Sequence, residues 1–393
     1  MTSVPKPTRR PANPRFSSGP CTKRPGWSVD ALKGALLGRN HRQPVTKARL
    51  ELALTKTREL LQLPAGYRIA LVPASDTGAV EMALWSLLGE RGVDVLAWDA
   101  FSQDWVTDIK QQLKLGDVRA FVAPYGELPD LSKVDCNRDV VFAWNGTTSG
   151  VRVPNADWID ANRQGLTICD GTSAVFAQEL DWTKLDATTF SWQKVLGGEA
   201  QHGMLILSPR AIARLESYTP PWPLPKLFRM TKGGKVKEGL FEGSTINTPS
   251  MLLVQDYLDA LNWVESVGGV KGTIARSDAN AEVISEWVAK TSWVDFVARV
   301  PNTRSNTSVC LKIVDKDVLK LPPDLQIELP KRIARLLDEE DAAKDIAFYR
   351  DAPPGLRIWG GATVETADIE ALLPWLDWAR GVASADASAK AAE

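Results

Sequence analysis

The stretches LTICDGTS (166–173) and ATTFSWQKVLGG (187–198) decide the fold class of this chain. Each begins with an apolar run of strand length and continues into polar and small residues, the pattern of a buried strand leaving its sheet. Similar runs flank them on both sides: YRIALVP (67–73), VDVLAWD (93–99), RAFVAP (119–124), DVVFAWN (139–145) and GMLILS (203–208). Segments 79–88 and 105–115 have helical spacing. We therefore predict an α/β fold with a mostly parallel seven-stranded sheet covered by helices.

The length of 393 residues exceeds what one hydrophobic core usually serves, so we predict more than one domain. Repeated prolines in residues 1–15 predict an extended arm, because proline removes backbone donors and restricts the preceding residue. A large domain is expected over 16–268 and a small C-terminal α+β domain over 269–381, built from segments 308–315, 328–340, 356–361 and 368–380. Residues 382–393 are rich in Ala, Ser and Lys, which predicts a flexible tail.

Composition excludes several classes of function. A formal net charge of -1 gives no general field for nucleic acid or anionic lipid, and no apolar run is long enough to span a bilayer. The first residues lack the apolar region of a secretory signal. Four scattered cysteines and two histidines suit neither a disulfide framework nor a metal site. We expect a cytoplasmic protein without nucleic acid, membrane or metal partners.

Two polar residues stand where neighbouring strands end. Asp170 closes the first quoted strand, and Lys194 follows the second. Ligands of mostly parallel sheets bind beyond the carboxyl ends of the strands. There a carboxylate can keep a pyridine nitrogen protonated, and an amine can form an imine with an aldehyde cofactor. Each residue also has an ordinary explanation, since Asp-Gly is common in turns and a lysine after a strand is commonly a solvated surface residue.

Two neighbouring segments add to this pattern. WNGTTSG (144–150) places Thr147 at a third strand end, where its hydroxyl can bind a phenolic oxygen of the cofactor. ASDTGAVEMAL (74–84) follows a fourth strand and opens a helix, whose first amides can bind a phosphate. Helix capping alone accounts equally well for Ser75 and Thr77.

Taken in order, a series of segments resembles the phosphoserine aminotransferase family, class V pyridoxal-phosphate enzymes of fold type I. The matching segments are FSSGP (16–20), the His41-Arg42 pair, the loop 75–78, NGTTSG (145–150), Asp170-Gly-Thr-Ser, Gln193-Lys194, INTPS (246–250) and LRIWGG (356–361). The resemblance implies a large cofactor-binding domain, a smaller C-terminal domain, pyridoxal 5'-phosphate as cofactor and a homodimer with shared active sites.

The resemblance also implies a role for each matching position. Lys194 would carry the cofactor and act in catalysis, Asp170 would pair with the ring nitrogen, and Thr147 would contact the phenolic oxygen. Phe101 would stack on the ring, with Trp105 as the second candidate. The phosphate would be held by Ser75, Asp76, Thr77 and Gln193, and by Asn247 and Thr248 from the partner subunit.

At the phosphate loop the chain departs from the family. It has Ser-Asp-Thr-Gly where Gly-Gly-Arg often occurs, so a phosphate-pairing arginine is missing. The acidic Asp76 would be repelled by a phosphate unless its side chain points away or only its amide faces the ligand.

Substrate binding requires cations. The resemblance implies that Arg357 grips the α-carboxylate, since a guanidinium can pair with it in a bidentate manner. His41 and Arg42 would receive the phosphate or the distal carboxylate, although a surface ion pair is an open alternative for Arg42. We expect His202 to be structural or a minor helper. The basic segment 226–237 is either a flap at the substrate entrance or a solvated loop.

The expected reaction is the reversible transfer of an amino group from glutamate to 3-phosphohydroxypyruvate, giving O-phosphoserine and 2-oxoglutarate in serine biosynthesis. A related fold type I aminotransferase for serine, alanine or glyoxylate is the nearest alternative. Cysteine desulfuration would require a mobile catalytic cysteine, and a non-catalytic α/β scaffold would leave Lys194 merely exposed. A Rossmann dehydrogenase is disfavoured because no G-x-G-x-x-G turn follows an early strand.

Overall fold

A seven-stranded sheet forms the centre of the protein. The structure, a computed structural model, describes residues 5–392. The strands are β1 (Arg68–Pro73), β2 (Val93–Ala97), β3 (Val118–Val122), β4 (Asp139–Ala143), β5 (Thr167–Asp170), β6 (Ala187–Ser191) and β7 (His202–Leu207). Their order is β1-β7-β6-β5-β4-β2-β3, and only β7 runs antiparallel to its neighbours. The predicted strands and the mostly parallel sheet are confirmed.

Burial of the strands explains their composition. Every residue of β2, β4, β5, β6 and β7 is buried, because helices cover both faces of the sheet. Strand β3 lies at the edge and is partly exposed. The helices of this part are α1 (Pro44–Leu60), α2 (Ser75–Leu87), α3 (Ala100–Thr107), α4 (Pro209–Ser217) and α5 (Met251–Ser266).

The C-terminal part begins with the helix α6 (Gly269–Lys290). It continues with β8 (Val294–Phe296), β9 (Ser308–Ile313), α7 (Pro323–Glu339), β10 (Gly355–Trp359) and α8 (Thr366–Ala392), and its strands form an antiparallel sheet in the order β8-β9-β10. Gly268, between α5 and α6, and Gly269, the first residue of α6, both have positive φ. The domain division at 268/269 stays a prediction, and one apolar core contains residues from both sides of it.

The predicted flexible tail is wrong for the described residues. Residues 382–392 continue α8, and Ala383 and Ala387 are buried. These two alanines are four residues apart and therefore share one face of the helix. The low-complexity composition hid this apolar face, while Glu393 lies outside the described residues.

The N-terminal segment lies along the C-terminal part. Residues 5–15 contain no helix or extended strand, and residues 1–4 of the predicted arm lie outside the described range. The Trp375 indole donates a hydrogen bond to the Arg9 carbonyl oxygen at 2.8 Å, and the Ala12 amide donates to Asp368 at 2.6 Å. No helix within 5–392 is both long and apolar enough to cross a membrane.

Candidate active site

A cavity of about 400 Å³ lies beyond the carboxyl ends of β4, β5 and β6. The predicted cofactor residues of a single protomer all line it: Ser75, Asp76, Thr77, Phe101, Thr147, Asp170, Gln193 and Lys194. A larger cavity of about 730 Å³ lies between the end of α1 and the start of α6 and contains none of them. The smaller cavity is therefore the candidate site, because the chemically useful groups converge there.

Lys194 follows β6, and its side chain contacts the FSSGP segment. Its amine donates a hydrogen bond to the Ser18 carbonyl oxygen at 2.5 Å, and the Cys21 amide donates to the Gln193 carbonyl oxygen at 2.8 Å. A Cβ atom on Gly19 would lie 2.5 Å from the Lys194 nitrogen. The glycine of FSSGP thus leaves space for the lysine side chain.

The surroundings of Lys194 favour its neutral form. Burial is the main cause that lowers the pKa of the amine, and the positive charge of Arg357 lowers it further. The Cys21 thiol and Asp170 act in the opposite direction. A lowered pKa leaves more of the amine unprotonated, as a nucleophile or base requires.

The Asp170 carboxylate is held at the end of β5 by two donors. The Trp105 indole donates to Oδ2 at 3.1 Å, and the Thr172 amide donates to Oδ1 at 3.1 Å. Burial raises the pKa of Asp170, whereas these hydrogen bonds and one with Asp76 lower it. From the sequence we expected only a stacking role for Trp105, and nothing in the sequence indicated its hydrogen bond to Asp170.

Asp76 lies in the first turn of α2, and its side chain faces Asp170. The two carboxyl groups are within hydrogen-bonding reach, and Asp76 Oδ1 is buried without a hydrogen-bond partner among the described residues. Burial, followed by the charge of Asp170, holds the pKa of Asp76 well above its usual range. At this position the backbone amide is therefore the group suited to an anion, as the sequence suggested.

Tight packing shapes the loop before α2. Ala74 and Ser75 adopt left-handed conformations, with φ of 65° and 55°. A Cβ on Gly78 would lie 2.3 Å from the Pro73 carbonyl oxygen, so glycine is required where the helix turns back over β1. At the start of α2 the Ser75 amide donates to the Gln201 carbonyl oxygen at 3.3 Å, and the Gly78 amide donates to the Ala74 carbonyl oxygen at 3.0 Å. The amides of Asp76 and Thr77 are therefore those suited to a phosphate. No sequence signal predicts left-handed backbone at an alanine and a serine.

The turn carrying Thr147 connects several strand ends. Its hydroxyl lies 2.9 Å from the Ser173 hydroxyl, and its carbonyl oxygen accepts from the Ser308 hydroxyl at 2.6 Å. The next amide, of Thr148, donates to Asp99 at 3.1 Å. Asp99 also caps α3, the helix that brings Phe101 to the cavity.

Five of the predicted site residues do not line this cavity. His41 is buried and Arg42 exposed just before α1, while Asn247 and Thr248 are exposed before α5. Arg357 lies on β10 opposite Cys310 and lines a small adjacent pocket. The roles of all the predicted site residues stay predictions.

His202 has a structural role. Its Nε2 accepts a hydrogen bond from the Ser250 amide at 3.1 Å, which fixes the end of the INTPS segment. Its ring packs against Trp192, with centroids 5.0 Å apart. Burial lowers the pKa of His202 to about 4.

Five carboxylic acids line the cavity, and the sequence patterns indicated only two of them. Glu81, Asp104 and Asp108 line the cavity together with Asp76 and Asp170, whereas Lys194 is the single cationic residue in the described lining. Burial raises the pKa of Asp104 and of Asp108. The four-residue spacing of these two acids was a signal in the sequence that they share one helix face.

No protein-family model matches the chain. The chain is 59% identical over 374 residues to a phosphoserine aminotransferase of Methanosarcina barkeri, covering 95% of this chain and 98% of the relative. Its identity to the phosphoserine aminotransferase of Methanosarcina mazei is 58% over the same coverage.

Solved structures agree on the fold. The phosphoserine aminotransferase of Cytophaga hutchinsonii superposes with a TM-score of 0.79 at 19% identity, covering 93% of this chain and 98% of the other. At this identity the likeness shows the fold alone, which is that of fold type I aminotransferases. The near-full-length identity to the Methanosarcina proteins shows that this chain belongs to the phosphoserine aminotransferase family.

Proposed function

We propose that this protein is a pyridoxal-phosphate-dependent aminotransferase. It transfers an amino group reversibly from glutamate to 3-phosphohydroxypyruvate, giving 2-oxoglutarate and O-phosphoserine, a step of serine biosynthesis. The observation that carries this proposal is the meeting of Lys194 and Asp170 in one cavity, in a chain 59% identical to a named phosphoserine aminotransferase.

The chemistry of the cavity suits pyridoxal phosphate. When bound, this cofactor supplies an aldehyde and a ring that withdraws electrons. Asp170 is ready to accept the ring N–H, because two donors already fix its orientation. Gln193 Oε1 and Asp76 Oδ1 are buried polar atoms without partners among the described residues, as expected of a site built for a polar ligand.

The remaining lining residues orient the cofactor. Thr147 would bind the phenolic oxygen, and Phe101 would stack on the ring, with Trp105 as the second candidate. Ser75, Thr77 and the amide of Asp76 at the start of α2, together with Gln193, would hold the phosphate.

Lys194 moves the proton at the substrate Cα. Its enclosed amine and lowered pKa favour proton acceptance, and the same nitrogen returns the proton later. Arg357 binds the α-carboxylate of the substrate. Its positive charge also lowers the pKa of the Lys194 amine. The acid-rich lining offers no other cation for an anionic substrate within the described part of one protomer.

We infer that a homodimer completes the site. Asn247 and Thr248 are exposed and lie outside their own cavity, so we assign them to the phosphate of the partner's cofactor. Arg42 likewise adds positive charge to the partner's cavity, and His41, whose pKa is lowered by burial and by the charge of Arg42, adds a neutral imidazole. All four cysteines are free, which favours a reducing cytoplasmic environment.

A coupled transamination assay tests the proposal. Purified protein should show a visible absorption band with pyridoxal phosphate and should convert phosphoserine plus 2-oxoglutarate far faster than serine plus 2-oxoglutarate. Lys194→Ala should lose both the band and turnover. Faster turnover of serine or alanine would favour the related aminotransferases, and a protein that stays colourless with added cofactor would contradict the proposal.

A further inference from the structure

Two carboxylic acids from different elements meet in the cavity. Asp76 belongs to the first turn of α2 and Asp170 ends β5, and each is only 7% exposed. Their side chains are within hydrogen-bonding reach of one another. Two ionised carboxylates cannot donate to each other, and burying both charges in contact is costly.

Asp170 and Asp76 differ in the hydrogen bonds that their side chains accept. Both oxygens of Asp170 accept from N–H groups, one from Trp105 and one from Thr172. Asp76 Oδ1 has no partner among the described residues; the Thr189 hydroxyl beside Asp76 favours its ionised form, against the larger effects of burial and of the Asp170 charge. N–H donors favour the ionised form of the acid that they contact. A single proton on Asp76 would convert the contact into an O–H···O⁻ hydrogen bond and leave Asp170 ionised.

Other charged or ionisable groups around the pair fit this distribution. Lys194, after β6, favours ionisation of either acid. The neighbouring Cys169 has a buried thiol whose pKa is raised, so it adds no negative charge. Asp99, before α3, disfavours ionisation of Asp170, but its effect is smaller than those of burial and of the hydrogen bonds to Asp170.

On the basis of the proposed function, we propose that Asp76 is a positioning residue that stays protonated and donates a hydrogen bond to the Asp170 carboxylate. The pair then presents one negative charge to the cofactor ring instead of two. Asp170 has three protein donors and is a weaker base toward the ring nitrogen than an isolated aspartate. This arrangement also explains how an acid is tolerated in a phosphate-binding loop where glycine is common in the family.

Asp76→Asn tests the proposal, because the amide keeps the shape and a donor but cannot ionise. At neutral pH the variant should bind pyridoxal phosphate within about 3-fold of the wild-type affinity, since it replaces a neutral group by a neutral group. Above the pKa of Asp76, which burial and the charge of Asp170 raise, the ionised side chain repels the cofactor phosphate, and the wild type should bind the cofactor more weakly than the variant. The measurement is the ratio of the two dissociation constants across pH.

Infrared difference spectroscopy gives a readout that does not depend on activity. The wild-type holoenzyme should show the carbonyl stretch of a protonated carboxylic acid, and Asp76→Asn should lose it. Asp76→Gly, which introduces the residue common in the family, should also lose it and serves if the asparagine variant folds poorly. Glu81→Gln, which removes an acid elsewhere in the same cavity, should retain the band.

The outcomes separate this inference from the proposed function. A wild type that binds no pyridoxal phosphate would overturn the proposed function itself. Normal cofactor binding with no lost infrared band would overturn only the protonation of Asp76. So would an affinity ratio that already changes below neutral pH, because Asp76 would then titrate in the usual range of an aspartate, or a change of more than about tenfold at neutral pH in Asp76→Asn.

Discussion

The Lys194 amine lies 2.5 Å from the position that a Cβ atom on Gly19 would occupy. Gly19→Ala must therefore displace the amine or the FSSGP backbone, whose φ at this residue is +147°. We expect the rate of transamination to fall by about 10²-fold, because a displacement of about 1 Å misaligns a reacting group. The cofactor affinity should also decrease, and both can be measured by absorption and coupled assay.

Gly34→Ala is the matched control for this substitution. Gly34 also has a positive φ, of +87°, but an added Cβ would meet nothing within 4 Å. Backbone strain alone should lower stability without changing the rate of a folded sample. Equal losses of rate in the two variants would show that contact with Lys194 is irrelevant.

Arg42→Ala should separate substrate binding from cofactor binding. Loss of a charged hydrogen bond to the substrate corresponds to about a 10- to 100-fold increase in the KM for phosphoserine. Bound cofactor should be retained, as judged by its absorption band. Arg39→Ala removes another exposed arginine nearby and should leave the KM unchanged. An unaltered KM in Arg42→Ala would contradict a role of Arg42 in substrate binding.

The stability of the protein should depend on the protonation of His202. Its pKa is about 4 in the folded state and 6.5 when unperturbed, so above pH 6.5 both folded and unfolded states hold it neutral. Between pH 6.5 and 4 the unfolded state binds more protons, and the free energy of unfolding should fall by at most about 3 kcal/mol.

His202→Gln isolates this contribution, since the amide oxygen can still accept from the Ser250 amide but does not titrate in this range. Denaturant unfolding at several pH values should show a shallower decline for the variant than for the wild type. Parallel pH profiles would contradict the assignment of the effect to His202.

Mixed dimers test whether the active site is shared. Lys194→Ala and Asn247→Ala should each be impaired alone. If Asn247 serves the partner's cofactor, a mixed dimer has one site with both defects and one intact site, so mixing after reversible dissociation should restore activity. A mixture whose activity never exceeds the average of its components would place Asn247 outside a shared site.

The sheet and the cofactor cavity could be predicted from the sequence because both depend on local patterns. Apolar runs such as 139–143 and 187–191 are long enough to identify buried strands, and parallel strands bring their carboxyl ends to one edge. This rule suffices to bring Thr147, Asp170 and Lys194 together without knowledge of any distance.

The remaining features depend on contacts between distant segments. The sequence does not show that Trp105 would donate to Asp170, or that Asp76 would face the same carboxylate, because both depend on how α2 and α3 dock on the sheet. The helical tail was missed for a similar reason. Composition indicated little to bury, yet Ala383 and Ala387 pack into an existing core.

Borohydride reduction of the holoenzyme, followed by peptide mapping, tests the central assignment most directly. Reduction fixes the pyridoxyl group to the amine that holds it, and the label should appear on the peptide containing Lys194 in the wild type. A label on any other lysine, or an equally labelled Lys194→Ala protein, would contradict the account of this site.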